Sequence, residues 1–247
     1  VLDGVKQRAK SGKSTIFIHT SGTSVLDDGS LGDFKGDKIY YDNDPASIDA
    51  VPDDAPHRPI DLAIVKAAKE LREQAKLAIM IPPTIYGYDK KHKRGTIQIP
   101  TMTRFALKHG YSGHVGKGLS VESQVHFQDL ARAYVVLLHH MEASPPSEVL
   151  QNPYFFCENG KEFSYQEAAE EIGKALHAKG IINEATPRQY KISEYDELFG
   201  DATPAVLGLN SRSRAVRLRE LGWEPKEKGM WESFNEDELP EILAEEK

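Results

Sequence analysis

With one cysteine in 247 residues, Cys157, the chain has neither an internal disulfide nor a cysteine-based zinc cluster. Its setting, Tyr154-Phe155-Phe156-Cys157, reads as a small buried hydrophobe rather than a reactive thiol. Basic residues are also in deficit: 31 Lys and Arg against 38 Asp and Glu leave a formal charge of −7, which argues against nucleic acid as a partner. No apolar run approaches the roughly 18 to 20 residues that cross a bilayer, and Val1-Leu2-Asp3-Gly4-Val5 lacks the basic start of a signal peptide. A soluble protein of the cytoplasm, with no membrane partner, is the default expectation. Missing too is any G-x-G-x-x-G, and the one G-x-x-G-x-x-G, Gly110 to Gly116, follows a predicted helix rather than a strand, so it does not read as the glycine-rich turn whose amides receive a dinucleotide pyrophosphate. Ser11-Gly12-Lys13-Ser14 is not a phosphate loop either. The required glycine five residues earlier is Gln7, and the segment precedes a strand instead of following one. Neither the nine Asp of Ser24 to Pro56 nor the nine His show a metal-binding spacing, so no metal is expected.

What is present is an α/β rhythm in a composition of 39% hydrophobic and 28% charged residues, ordinary for a globular protein. Val1 to Lys10 is helical by Leu2, Val5 and Ala9, and Thr15 to Ile18 is a strand. An irregular, Asp-rich excursion follows, in which Asp27, Asp28, Asp33, Asp42, Asp44, Asp53 and Asp54 are expected in solvated turns. Pro59 to Ala75 is a helix and Leu77 to Ile81 a fully buried strand, a second crossover of the kind that builds a doubly wound sheet. Further helices are predicted near Pro100 to His109, Gln128 to Glu142 and Tyr165 to Lys179, the last opened by a capping box at Ser164 and Glu167. A final helix is expected from Asn210 or Ser211 to Leu221, its Arg212, Arg214, Arg217 and Arg219 forming a solvated face, and the acidic tail from Glu236 is expected to fray.

Hydroxyls gather where the first strand ends, in His19-Thr20-Ser21-Gly22-Thr23, the place where open α/β sheets hold ligands. Ser and Thr before Gly serve turns and caps equally well. In order, this segment, Pro82-Pro83-Thr84-Ile85-Tyr86-Gly87, His126-Phe127-Gln128-Asp129-Leu130 and Leu221-Gly222-Trp223-Glu224-Pro225 resemble the extended short-chain dehydrogenase/reductase superfamily, the NAD-dependent epimerase/dehydratase relatives.

The resemblance implies a Rossmann-like, doubly wound parallel sheet that begins in the middle of that fold. Residues 1–87 would be the C-terminal part of the NAD(P)-binding domain and 88–247 a smaller mixed α/β substrate-side region with some segments returning to the sheet. The absent initiator Met suggests an excised fragment, and an exposed sheet edge would make such a fragment poorly soluble. By the same resemblance Ser21 and Thr23 polarise a substrate carbonyl or hydroxyl, with Thr20 beside the nicotinamide. Pro83, Thr84 and Ile85 present backbone to it, and Tyr86, Arg104 and His126 face the substrate. The cofactor would be NADP or NAD. The family's Y-x-x-x-K proton-transfer pair maps onto Leu62 and Lys66, so Lys66 remains to hold the ribose while leucine cannot transfer a proton. His57, Tyr40, Tyr41 or Tyr86 could take that role. Asp129 reads as a cap of its helix before it reads as a catalyst. Two functions stay open: an oxidoreductase or epimerase-like enzyme on a small polar carbonyl or hydroxyl substrate, and a non-catalytic dinucleotide sensor of NmrA type that binds a protein partner. A homodimer fits either.

Overall fold

Alternating helices and strands in the first third build a parallel sheet, in a computed structural model that describes residues 1–245. Helix α1 (Leu2–Lys10) buries Val5 and Ala9 and leads into β1 (Thr15–Thr20). A 3₁₀ turn (Thr23–Leu26), the two-residue β2 (Tyr40–Tyr41) and α2 (Pro45–Asp49) interrupt the irregular excursion. Helix α3 (Arg58–Leu71) starts with Pro at its first turn, where a missing N–H costs nothing, and returns the chain to β3 (Ala75–Ile81). Strand β3 is central, parallel to β1 on one side and to β7 (Tyr154–Phe156) on the other, which is why Leu77 to Ile81 is apolar without alternation. Strand β1 forms the sheet's edge.

After β4 (Thr84–Tyr86) come α4 (Gln98–His109), β5 (Gly113–His114) and β6 (Val121–His126). Strand β6 is buried at all six positions, parallel to β4 and antiparallel to β8 (Glu162–Ser164). Helices α5 (Phe127–Ala143) and α6 (Pro146–Gln151) return to the first sheet before β7, so the segment beyond Gly87 contributes to both layers. Helix α7 (Tyr165–Ala178) covers the second core with α4. The remainder holds β9 (Arg188–Gln189), α8 (Thr203–Leu207), β10 (Ser213–Arg214), α9 (Val216–Glu220), α10 (Met230–Ser233), a π-helical turn (Phe234–Glu238) and α11 (Leu239–Glu245). No helix among the described residues is long and apolar enough to cross a membrane.

Several local expectations are corrected. Asn210 and Ser211 cap no helix. Asn210 instead accepts from the Val121 amide and donates to Asp28, and a two-residue strand follows before the short α9 begins. The four arginines are not a solvated face. Arg212 and Arg214 both pair with Glu162, Arg217 lies 3.8 Å over the Phe155 ring while donating to the Asn152 and Tyr154 carbonyls, and Arg219 reaches Glu158. Asp42 is buried, not solvated: it accepts from the Phe156, Val216 and Arg217 amides and ties the excursion to β7 and α9. At α7 only half of the capping box forms, because Ser164 accepts from the Glu167 amide while the Glu167 carboxylate takes the Trp231 indole N–H. The acidic tail is folded through Glu245: Glu238 is buried and accepts from the Gly87 amide, Leu239 enters the second core and Ile242 is buried. Glu246 and Lys247, the end of that tail, lie outside the described residues.

Candidate active site

A cleft of about 630 Å³ opens at the C-terminal ends of β1 and β3, between the two layers. Pairing holds its floor in place beyond the strands themselves. The Ser21 amide donates to the Met80 carbonyl at 2.8 Å and the Thr23 amide to the Pro82 carbonyl at 3.0 Å, so the hydroxyl-bearing loop is stitched to the Pro82-Pro83 segment. Ser21, Thr23, Pro83, Thr84 and Ile85 all line this cleft, together with His57, while Val206 and Leu209 add apolar wall. Gly22 lets the His57 ring lie close against the loop: a Cβ there would stand 2.9 Å from His57 Nε2. His57 itself adopts a left-handed backbone (φ 65°), strain of the kind found at functional sites.

Ser21 Oγ donates to Asp61 Oδ2 at 2.8 Å, with both residues buried. Asp61 projects from the first turn of α3, and its other oxygen lies 3.5 Å from His19 Nε2 without a hydrogen bond. Burial raises the Asp61 carboxyl above the usual carboxylate range, against the pull of the Ser21 hydrogen bond and the nearby His19. Burial likewise lowers the His19 imidazole, outweighing the attraction of Asp61. The same carboxyl thus becomes a better proton acceptor at neutral pH.

A second carboxyl enters the wall from β6. Glu122 is buried, accepts from the Thr84 hydroxyl, and stands 2.6 Å from the Tyr165 phenol. Loss of solvation pushes it up to about 7, ahead of the opposing hydrogen bonds from Thr84, Tyr165 and Ser211. Thr23 is linked to the same group, its hydroxyl 3.0 Å from Ser211 Oγ.

The other residues singled out in the sequence lie elsewhere. Thr20 is exposed on the opposite side of β1, 2.6 Å from the Tyr134 hydroxyl. Lys66 is exposed and lines a separate groove with Leu62, Val65, Lys69 and Glu70. Tyr86 is fully buried, donating to the Lys228 carbonyl at 2.8 Å and accepting from Asn159. Arg104 pairs at the surface with Glu245 at 2.7 Å. His126 is the N-cap of α5, its Nδ1 accepting from the Gln128 amide at 3.2 Å, with the ring packed edge-on to Tyr86. Asp129 does not cap that helix; it accepts from the Lys226 and Glu227 amides and pins that loop.

Asp61 and Glu122 are the residues that sequence reasoning passed over. A signal existed for Asp61: it shares the buried face of α3 with Ile64, Ala68 and Leu71, where an acid needs a reason. Glu122 lies between Val121 and Val125 in a strand with no alternation, so only its charge set it apart.

No protein-family model matches the sequence, and no curated protein does. Solved structures match in fold. UDP-glucose 4-epimerase from Thermotoga maritima, crystallised with UDP-glucose, is 16% identical with a TM-score of 0.62, over 98% of this chain and 68% of that one. A dTDP-glucose 4,6-dehydratase double mutant from Streptomyces venezuelae, with NAD bound, is 16% identical with a TM-score of 0.59, over 95% and 64%. UDP-glucuronic acid 4-epimerase from Bacillus cereus, a tyrosine-to-phenylalanine mutant in complex with NAD, is 14% identical with a TM-score of 0.60, over 98% and 66%. The chain therefore spans about two thirds of the length of these proteins, and it has the fold of these sugar-nucleotide epimerases and dehydratases.

Proposed function

We propose that this protein is an NAD(P)-dependent oxidoreductase of the epimerase kind, acting on a small polar substrate through a carbonyl or hydroxyl, with Ser21 and Asp61 as its proton-transfer pair. The observation that carries the reading is the buried Ser21–Asp61 hydrogen bond at the mouth of β1, in a cleft of ligand size in this fold. Apolar walls at Pro82, Pro83 and Ile85 with a few convergent hydroxyls fit the nicotinamide end of a dinucleotide. The one G-x-x-G-x-x-G of the sequence, Gly110 to Gly116, runs from the end of α4 through β5 and lines no part of the cleft, so it is not a strand-to-helix turn for the pyrophosphate. When bound, the nicotinamide supplies or accepts the hydride.

The chain's own residues handle the proton. Because Ser21 spends its hydrogen on Asp61, its lone pairs are free to accept a hydrogen bond from a substrate hydroxyl. As the substrate oxygen releases its proton to Ser21 Oγ, the serine proton passes to Asp61 Oδ2. The reverse transfer delivers a proton to a substrate carbonyl oxygen as it is reduced. Asp61 thereby does the work that Leu62, one residue on, cannot. Lys66 has no part in this reading, since it lines a different groove.

The test is Ser21→Ala and Asp61→Asn. Each is expected to lower turnover about 100-fold while leaving nicotinamide affinity nearly unchanged. Leu62 at the tyrosine position favours the second reading, a dinucleotide sensor that acts on a protein partner or within a homodimer. Under that reading both variants bind cofactor and partner as wild type does and there is no turnover to lose.

A further inference from the structure

The hydrogen-bond count around Glu122 does not close unless the carboxyl carries a proton. Tyr165 has one phenolic hydrogen, yet two acceptors stand within reach of its oxygen: Glu122 Oε1 at 2.6 Å and the Val206 carbonyl at 2.8 Å. A carboxylate would leave one of these close oxygen–oxygen contacts with no hydrogen between its two oxygens. A neutral carboxyl resolves this, with Oε1–H donating to Tyr165 and Tyr165 donating to Val206. The remaining oxygen, Oε2, is held against the Thr84 hydroxyl. Thr84 and Glu122 both line the cleft. Thr84 is therefore the link through which the proton can reach a ligand.

We propose that Glu122 is a neutral carboxylic acid that donates a proton, through the Thr84 hydroxyl, to a substrate oxygen in the cleft. The inference rests on the oxidoreductase reading above and adds a second proton-transfer group to it. In the reducing direction the substrate carbonyl carbon gains a hydride from the nicotinamide cofactor and the C=O π pair moves onto oxygen. That oxygen takes a single proton, from the Thr84 hydroxyl when it lies on that wall of the cleft and from Ser21 when it lies on the other. Thr84 takes the proton of Glu122, whose O–H a half-turn of the carboxyl about Cγ–Cδ has brought to the Thr84 side, and Tyr165 turns its hydrogen toward the carboxylate so formed. Oxidation runs the same transfers backwards, ending with Glu122 protonated. Ser21 and Thr84 belong to different strand ends, so the cleft has proton-transfer groups on two strand ends rather than one.

The surroundings agree with a neutral acid. Titratable groups acting on Glu122 are Tyr165 from α7 and Asp27 after the 3₁₀ turn, and Asp27 disfavours a second negative charge. Thr84 from β4 and Ser211 before β10 complete its shell, Val206 from α8 faces Tyr165, and no cation pairs with Glu122 among the described residues.

The experiment is infrared difference spectroscopy of the full chain, wild type minus Glu122→Gln, followed as a function of pH. Glutamine keeps an acceptor for Thr84 and a donor for Tyr165, so the variant preserves both contacts. Asp42 and Glu238 are also buried carboxyls raised by desolvation, and subtraction removes their bands. The expected result is a protonated-carboxyl carbonyl band that belongs to Glu122, present in acid and lost as pH rises through about 7. Thr84→Val should keep that band but lower turnover about 100-fold. Absence of the band overturns the proposal and leaves the oxidoreductase reading standing. A Thr84→Val enzyme with wild-type turnover overturns the relay as well. A band in a protein that binds no nicotinamide overturns the redox step while confirming the neutral acid. If Glu122→Gln fails to fold, Tyr165→Phe serves in its place, since loss of the phenol should shift the same band.

Discussion

Glutamine at position 122 should change how stability depends on pH, and the size of the change follows from burial. The carboxyl has an ordinary value of 4.5 when unfolded and about 7 in the folded cleft. A raised folded value means that the folded state holds the proton more tightly. The group's contribution is then greatest in acid and is lost as pH rises from the unfolded value through the folded one. Integrating that linkage between about pH 5 and about pH 8 gives a fall of about 2.5 kcal/mol in wild-type stability from this one side chain. No screening discount applies, because Glu122 is almost fully removed from solvent. Glu122→Gln cannot titrate, so the difference in unfolding free energy, variant minus wild type, should become more positive by about 2.5 kcal/mol over that range. Urea unfolding of both proteins at the two pH values measures it, and all other titrating groups cancel in the comparison. A difference that does not move with pH would refute both the burial argument and the neutral carboxyl.

Three further outcomes follow from the geometry. Gly22→Ala should displace the His57 ring from the cleft wall and weaken nicotinamide binding in a fluorescence titration, while the melting temperature moves little, since the ring can swing into the cleft. Lys66→Ala should leave both cofactor affinity and turnover within about twofold of wild type, because the side chain is exposed in another groove; a loss of tenfold or more would restore it to the ribose. His126→Ala removes the α5 cap and should cost about 1 kcal/mol or more in urea unfolding, with no direct effect on turnover.

The sheet was legible because its signals are long and regular. Helix α3 with its apolar period and β3 with its unbroken apolar run are what a crossover to a buried parallel strand must look like. The hydroxyl loop and the Pro82 segment were legible for the same reason, as short motifs attached to strand ends, and the structure brings Ser21, Thr23, Pro83, Thr84 and Ile85 into one cleft. What failed was side-chain direction. Matching Lys66 by its neighbours picked out α3, but the residue of that helix that meets the cleft loop is Asp61 and not Lys66, and one residue along a helix is about 100° of rotation. Asp61 points at Ser21 while Leu62 and Lys66 line another groove. Glu122 and Tyr165 could not be paired from sequence, because 43 residues separate them and only the β6–β8 pairing brings them together. The arginine series misled because a spacing that suits a helix face also suits a strand followed by a turn, where the side chains reach Glu162, Glu158 and the Asn152 carbonyl instead of forming one solvated face. Tyr86 and His126 lie in strand-end motifs as expected, but the second core and the α5 cap absorb them.

Binding of a nicotinamide cofactor in the cleft at the C-terminal ends of β1 and β3 is the central claim. NADH and NADPH fluorescence titrations of wild type and Ala205→Trp test it directly, because Ala205 is an exposed residue of α8 on the cleft wall and an indole there fills the cavity without touching the core. Saturable binding by wild type and its loss in Ala205→Trp is the expected result. Equal binding by both proteins, or binding by neither when both are folded, would contradict the assignment of this cleft.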